Sequence, residues 1–212
     1  AVSASGNTIV VTHTPGAPSA PVATASDGTS TAQVELNWGD VSCETGYVIK
    51  RNTADDYASA TALYTNAADA LSYNDTSATP GQRYYYWVTA TNLGGSAASA
   101  SDSGYRRLAP PANLAATDGT STDDVTVTWD AATGASTYHL YRDTDSDPTG
   151  ATALGPQSSG YADVPPSPGQ IYYYWVLASN STSSSTSDWS TANSGYRKLT
   201  APGSVAATEN LS

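Results

Sequence analysis

The stretch PGQRYYYWVTATN at 80–92 returns as PGQIYYYWVLASN at 168–180, and this repeated phrase decides the fold. Within it apolar and aromatic residues alternate. Tyr84, Tyr86, Val88 and Ala90 fall on one face, and Tyr85, Trp87 and Thr89 on the other. A period of two over nine residues predicts a β-strand. Working outward, other landmarks recur at a fixed spacing. Trp38 returns as Trp129, DGTST at 27–31 as 118–122, and SGYRRL at 103–108 as SGYRKL at 194–199. The spacing there is about 91 residues, but the aromatic phrase is displaced by about 88, so the second copy has lost three residues upstream of it. Two modules follow, each long enough to bury a core without disulfides.

Inside each module the alternation continues. VELNW sets Val34, Leu36 and Trp38 against Glu35 and Asn37, and VTVTW sets Val125, Val127 and Trp129 against Thr126 and Thr128. Tyr47 and Ile49, matched by Tyr138 and Leu140, mark the next strand. No helical period is sustained. Short strands separated by Gly, Pro, Asn and Asp turns predict an antiparallel sandwich.

A strand ending in Trp, a Tyr-x-hydrophobic strand, then P-G-x-x-Y-x-Y-x-V-x-A-x-N and a Ser-rich strand together resemble fibronectin type III over roughly residues 17–199. The resemblance implies two tandem immunoglobulin-like, all-β sandwiches with Trp38 and Trp129 buried. It also implies tyrosine corners at Tyr84 and Tyr172, whose hydroxyls bond to the backbone just upstream. The expected organisation is a strand segment at 1–16, module one at 17–108, module two at 109–199, and at 200–212 a strand resembling the first strand of a further module. Pro110 and Pro111 fix two φ angles in the short connection, so a stiff join is expected.

The ends carry their own signal. TAPGSVAATENLS at 200–212 aligns with APPANLAATDGTS at 109–121, and NTIVVTHT at 7–14 alternates like a closing strand. Two readings stand open: the ends are the boundary of a segment cut from a longer repeat array, or Ile9, Val11 and Val205 are candidates for strand exchange, because an orphan strand leaves its backbone groups to be satisfied by a neighbouring sheet edge.

Composition narrows the function classes. Eight basic and 19 acidic residues give a formal charge of -11, which argues against nucleic acid or an anionic membrane as partner. No apolar run reaches the length of a membrane span. Phe and Met are absent while Tyr reaches 15 and Trp 5, so the aromatic part of the core must come from residues with polar tips. The lone Cys43 excludes an internal disulfide. With the small-residue opening AVSAS, these features point to an extracellular or cell-surface chain.

Candidate chemistry is sparse. DTDSDPTG at 143–150 spaces Asp143, Asp145 and Asp147 as in a calcium loop, but Pro148 stands where that loop needs Gly and Leu154 where it needs Glu. Acidic turn residues account for the pattern, and neither metal nor cofactor is expected. Tyr85, Trp87, Tyr173 and Trp175, with Tyr141 and His139 on the adjoining strand, form a candidate face for a partner or a glycan. Asn74, Asn180 and Asn210 begin short N-x-S/T sequons. His13 and His139 have no acid or nucleophile pattern around them, and no zinc cluster or phosphate-binding glycine loop occurs. No active site is expected. The chain reads as a structural or adhesive rod whose partners are other copies of itself or adjoining modules, with filament assembly through the terminal strands. An accessory glycan-contacting module of a polysaccharide-degrading enzyme is the alternative.

Overall fold

The computed structural model describes residues 15–204. Residues 1–14 and 205–212, and with them Ile9, Val11, His13, Val205 and Asn210, lie outside the described residues. The first repeat forms β1 (Ala23–Ala25), β2 (Val34–Trp38), β3 (Gly46–Asn52), β4 (Thr61–Ala67), β5 (Ser72–Asp75), β6 (Tyr84–Asn92), β7 (Gly95–Ala98) and β8 (Asp102–Gly104). The second forms β9 (Ala112–Ala116), β10 (Val125–Asp130), β11 (Thr137–Asp143), β12 (Thr152–Pro156), β13 (Tyr161–Asp163), β14 (Tyr172–Asn180), β15 (Ser185–Thr186) and β16 (Asn193–Gly195).

Each repeat builds one sheet ordered β1-β2-β5 or β9-β10-β13, and another ordered β4-β3-β6-β7 or β12-β11-β14-β15, with β8 and β16 on β6 and β14. Every named pairing is antiparallel. The alternation of VELNW becomes an alternation of burial: Val34, Leu36 and Trp38 are buried, Glu35 and Asn37 exposed. Opposite them pack Tyr47, Ile49, Tyr86, Val88 and Ala90. The second core gathers Val125, Val127, Trp129, Leu140, Tyr172, Tyr174 and Val176. The chain divides into two compact units, whose described parts are 15–27, 33–77 and 83–104 in one, and 28–32, 78–82 and 105–204 in the other.

The registers locate the three-residue difference between the copies. Ile49 faces Tyr64 and Leu140 faces Gly155, while Leu36 faces Tyr73 and Val127 faces Tyr161. The surplus of the first copy therefore lies between Tyr64 and Tyr73, in β4 and the turn to β5. There β4 runs seven residues and β12 only five.

The Ser-rich final strand is broken in both repeats, and serine explains the break. Val88 N–H donates to Ser99 Oγ at 3.0 Å while Ser99 N–H donates to Val88 O at 2.9 Å. Ser187 and Ser190 do the same for Ala178 and Val176. A hydroxyl replaces the backbone carbonyl as acceptor, so the chain leaves regular strand geometry without orphaning an N–H.

Candidate functional site

Each repeat encloses a polar triad between its two sheets. Asp75, at the end of β5 in one sheet, is fully buried. Its Oδ2 accepts from Arg51 Nη1 on β3 at 2.5 Å and from the Tyr86 hydroxyl on β6 at 3.0 Å, both in the other sheet. Ser77 N–H and Oγ–H donate to its Oδ1 at 2.9 and 2.6 Å. In the second repeat Asp163 on β13 pairs with Arg142 Nη1 at 2.7 and 2.9 Å, and Tyr174 OH donates to it at 2.8 Å. The guanidinium of Arg51 lies 4.3 Å over the Tyr84 ring, and that of Arg142 5.1 Å over Tyr172. A buried carboxylate is tolerable only when paired and fully hydrogen-bonded, and both are.

The electrostatics follow. Burial alone would raise the Asp75 carboxyl, but hydrogen bonds from Ser77 and Arg51, the guanidinium charge and Tyr86 outweigh it and hold the group below its ordinary value. Burial, together with the neighbouring carboxylate, drives Tyr86 and Tyr174 far above the ordinary tyrosine value. Above about pH 10 these phenols ionise when unfolded but not when folded, so each sandwich should lose about 1.4 kcal/mol per pH unit there. Denaturant titrations at several alkaline pH values check this, with Tyr86→Phe and Tyr174→Phe expected to flatten the slope.

The core tryptophans Trp38 and Trp129 are each 5% exposed, tilted against Tyr47 and Tyr138 at 5.5 and 5.9 Å. The Trp38 Nε1–H is buried and has no acceptor among the described residues. Tyr172 OH accepts Ser167 N–H at 3.3 Å, a corner five residues long, and Tyr84 lies buried beneath Arg51. A second tyrosine anchor also repeats: the Tyr47 hydroxyl accepts Val41 N–H, and the Tyr138 hydroxyl accepts Ala132 N–H, tying down the turn after each tryptophan.

The candidate glycan face needs correction. Trp87 and Trp175 do face away from the core, yet they are only 4% and 2% exposed. Tyr57, from the turn after β3, stands edge-on to Trp87 at 5.9 Å, its hydroxyl bonded to Thr89 Oγ1, with Lys50 Nζ 4.2 Å over its ring. In the second repeat Tyr141 faces Trp175 across the ladder and meets Trp189 edge-on at 4.7 Å, while Tyr173 lies 6.4 Å from Trp175. Tyr85, Tyr141, Tyr173 and His139 remain half-buried. Alternation tells which side a residue takes, not what covers that side. The two indoles are sealed by their neighbours and present no stacking platform.

Asp143, Asp145 and Asp147 accept the backbone N–H groups of Thr144, Asp147 and Thr149. Each closes its own turn, and they are not among the carboxylates that converge. Among the described residues those are Asp40, Glu44 and Asp69, which accept from Tyr47 OH (Asp40) and Asp69 N–H (Glu44) and so brace turns. Asn74 is exposed, whereas the Asn180 amide donates to Gly134 O. Cys43 occupies the place of Gly134, with φ near +68° against +84°. The Asn92 amide holds the Cys43 carbonyl as Asn180 holds that of Gly134. Left-handed backbone disfavours a Cβ, so Cys43→Gly is expected to raise stability by up to about 1 kcal/mol in urea unfolding.

No family model matches the chain, and no match was found among curated proteins. Solved structures do. A two-domain fibronectin type III segment of chicken tenascin matches at 16% identity with a TM-score of 0.62, over 84% of this chain and 99% of that one. The FN1–FN3 domains of chicken CNTN1 match at 19% identity and TM-score 0.38, over 88% of this chain and 70% of that one. An Fn3-like protein from Clostridium thermocellum matches at 27% identity and TM-score 0.35, over 43% of this chain and 93% of that one. The tenascin likeness covers both repeats, and the fold is that of two tandem fibronectin type III-like sandwiches. Among the described residues no helix is long and apolar enough to cross a membrane.

Proposed function

We propose that this chain is a non-catalytic, extracellular repeat segment that serves as a stiff structural rod and assembles head to tail by exchange of its terminal strands. The observation that carries the reading is a pair of strand-like sequence patterns, NTIVVTHT at 7–14 and TAPGSVAATENLS at 200–212, that stand on either side of the two sandwiches. A strand offered by one copy to a sheet edge of the next makes a heterologous contact that propagates instead of closing. Pro110 and Pro111 favour stiffness between the repeats. The charged groups buried in each sandwich serve packing: both inter-sheet carboxylates are consumed by their arginines and tyrosines.

Electron microscopy and light scattering across a concentration series test the reading. Filaments are expected from the full chain and not from versions lacking 1–14 or 203–212. Monomers at every concentration, or filaments indifferent to both truncations, would remove it.

A further inference from the structure

We infer that the acceptor in such an assembly is the outer edge of β4, and that its occupant is the uncharged strand NTIVVTHT, residues 7–14, of a second copy. The inference rests on the head-to-tail reading and names the contact it needs.

Sheet edges are hazards that proteins keep short, charged or broken by Gly and Pro. Most edges of these sandwiches obey that rule. The strands β1, β8, β13 and β16 have three residues, β5 and β7 four, and β15 two. The five-residue β9 contains Asn113 in left-handed backbone, and β12 contains Gly155 at φ near +81° and Pro156. The exception is β4. It runs seven residues as TALYTNA, without charge, Gly or Pro and with one register shift at Leu63, and among the described residues its ladder partner is β3 alone.

The two copies sharpen the contrast. The second copy ends its edge strand early, and the surplus that lets the first continue lies between Tyr64 and Tyr73. The extension is also held firm. Tyr64, half exposed at 51%, stacks on Tyr73 with centroids 5.3 Å apart and rings 16° from parallel. Asn66 Nδ2 donates to Ser72 O at 3.1 Å. An edge braced in this way loses little further freedom when a strand adds to it.

The occupant follows from charge and length. Two copies each carrying a formal charge of -11 repel, so a contact between them is favoured where neither side is charged. Thr61–Ala67 supplies one such strip, and the sequence of residues 7–14 is uncharged, alternating and of matching length. Strand addition would give backbone hydrogen bonds for affinity, with Ile9 and Val11 on one face for specificity.

The test introduces charge at exposed positions of the edge, Ala62→Glu and Thr65→Glu, with Ala153→Glu on β12 as control. Melting curves first confirm that each variant folds. Assembly of the β4 variants, read by light scattering, should require at least tenfold higher protein, and that of Ala153→Glu should match the parent. In parallel, a synthetic NTIVVTHT peptide bearing a photo-crosslinker is added to the full chain and its adduct mapped by mass spectrometry. Crosslinking to residues 61–67 is expected. Parental assembly by the β4 variants, or adducts elsewhere or none, overturns the acceptor while leaving head-to-tail assembly standing. Failure of the parent chain to assemble removes that reading, and the crosslink still decides whether β4 accepts this strand.

Discussion

Replacing Asp75 with alanine is expected to destabilise the first sandwich by about 3–5 kcal/mol, the usual cost of breaking a buried ion pair on one side. The reason lies in what remains. Arg51, with 19% of its side chain exposed, keeps its charge but loses its carboxylate, and Tyr86 OH loses its acceptor. Urea unfolding of Asp75→Ala against the parent chain measures the loss. The sign with pH is fixed by the depressed carboxyl. Its contribution is present above the unfolded value near about pH 4 and disappears as pH falls through the lower folded value. The parent should therefore lose part of its advantage over Asp75→Ala in strong acid. A variant as stable as the parent at neutral pH would show that the triad is incidental.

The second large effect is expected at Trp129. Truncation to alanine removes the largest side chain of a core that also holds Val125, Val127, Leu140, Tyr172, Tyr174 and Val176. The loss should be about 3–5 kcal/mol, since the transfer energy of the indole and the cavity left behind add together. Tyr138, tilted against Trp129 at 5.9 Å, would lose its main ring contact, and its hydroxyl holds the Ala132 turn. Thermal unfolding followed by fluorescence and circular dichroism checks both parts. A shift much below the expected range would mean that the sandwich closes over the gap.

Much of this architecture was legible in sequence because its signals are local. Val34, Leu36 and Trp38 betray their face by a period of two, and the repeat shows the same face again at Val125, Val127 and Trp129. The cover over Trp87 was not legible in that way. Tyr57 arrives from a turn thirty residues upstream, and in the second copy that duty passes to Tyr141 and Trp189. The triad was also missed, since Arg51, Asp75 and Tyr86 meet only through the pairing of three strands in two sheets. A signal existed: Arg51, Asp75 and Tyr86 recur as Arg142, Asp163 and Tyr174 at the same two displacements as the rest of the repeat. In a chain with eight basic residues, an arginine kept in register beside a kept aspartate marks a buried pair.

Hydrogen exchange read peptide by peptide tests most directly whether each repeat closes its own two-sheet core. Slow exchange is expected in two matched sets, 34–38, 46–52 and 84–92 in one repeat and 125–130, 137–143 and 172–180 in the other. The turns at 53–60 and 144–151 should exchange fast. Protection confined to one repeat, or turns as protected as the β6 and β14 strands, would contradict it.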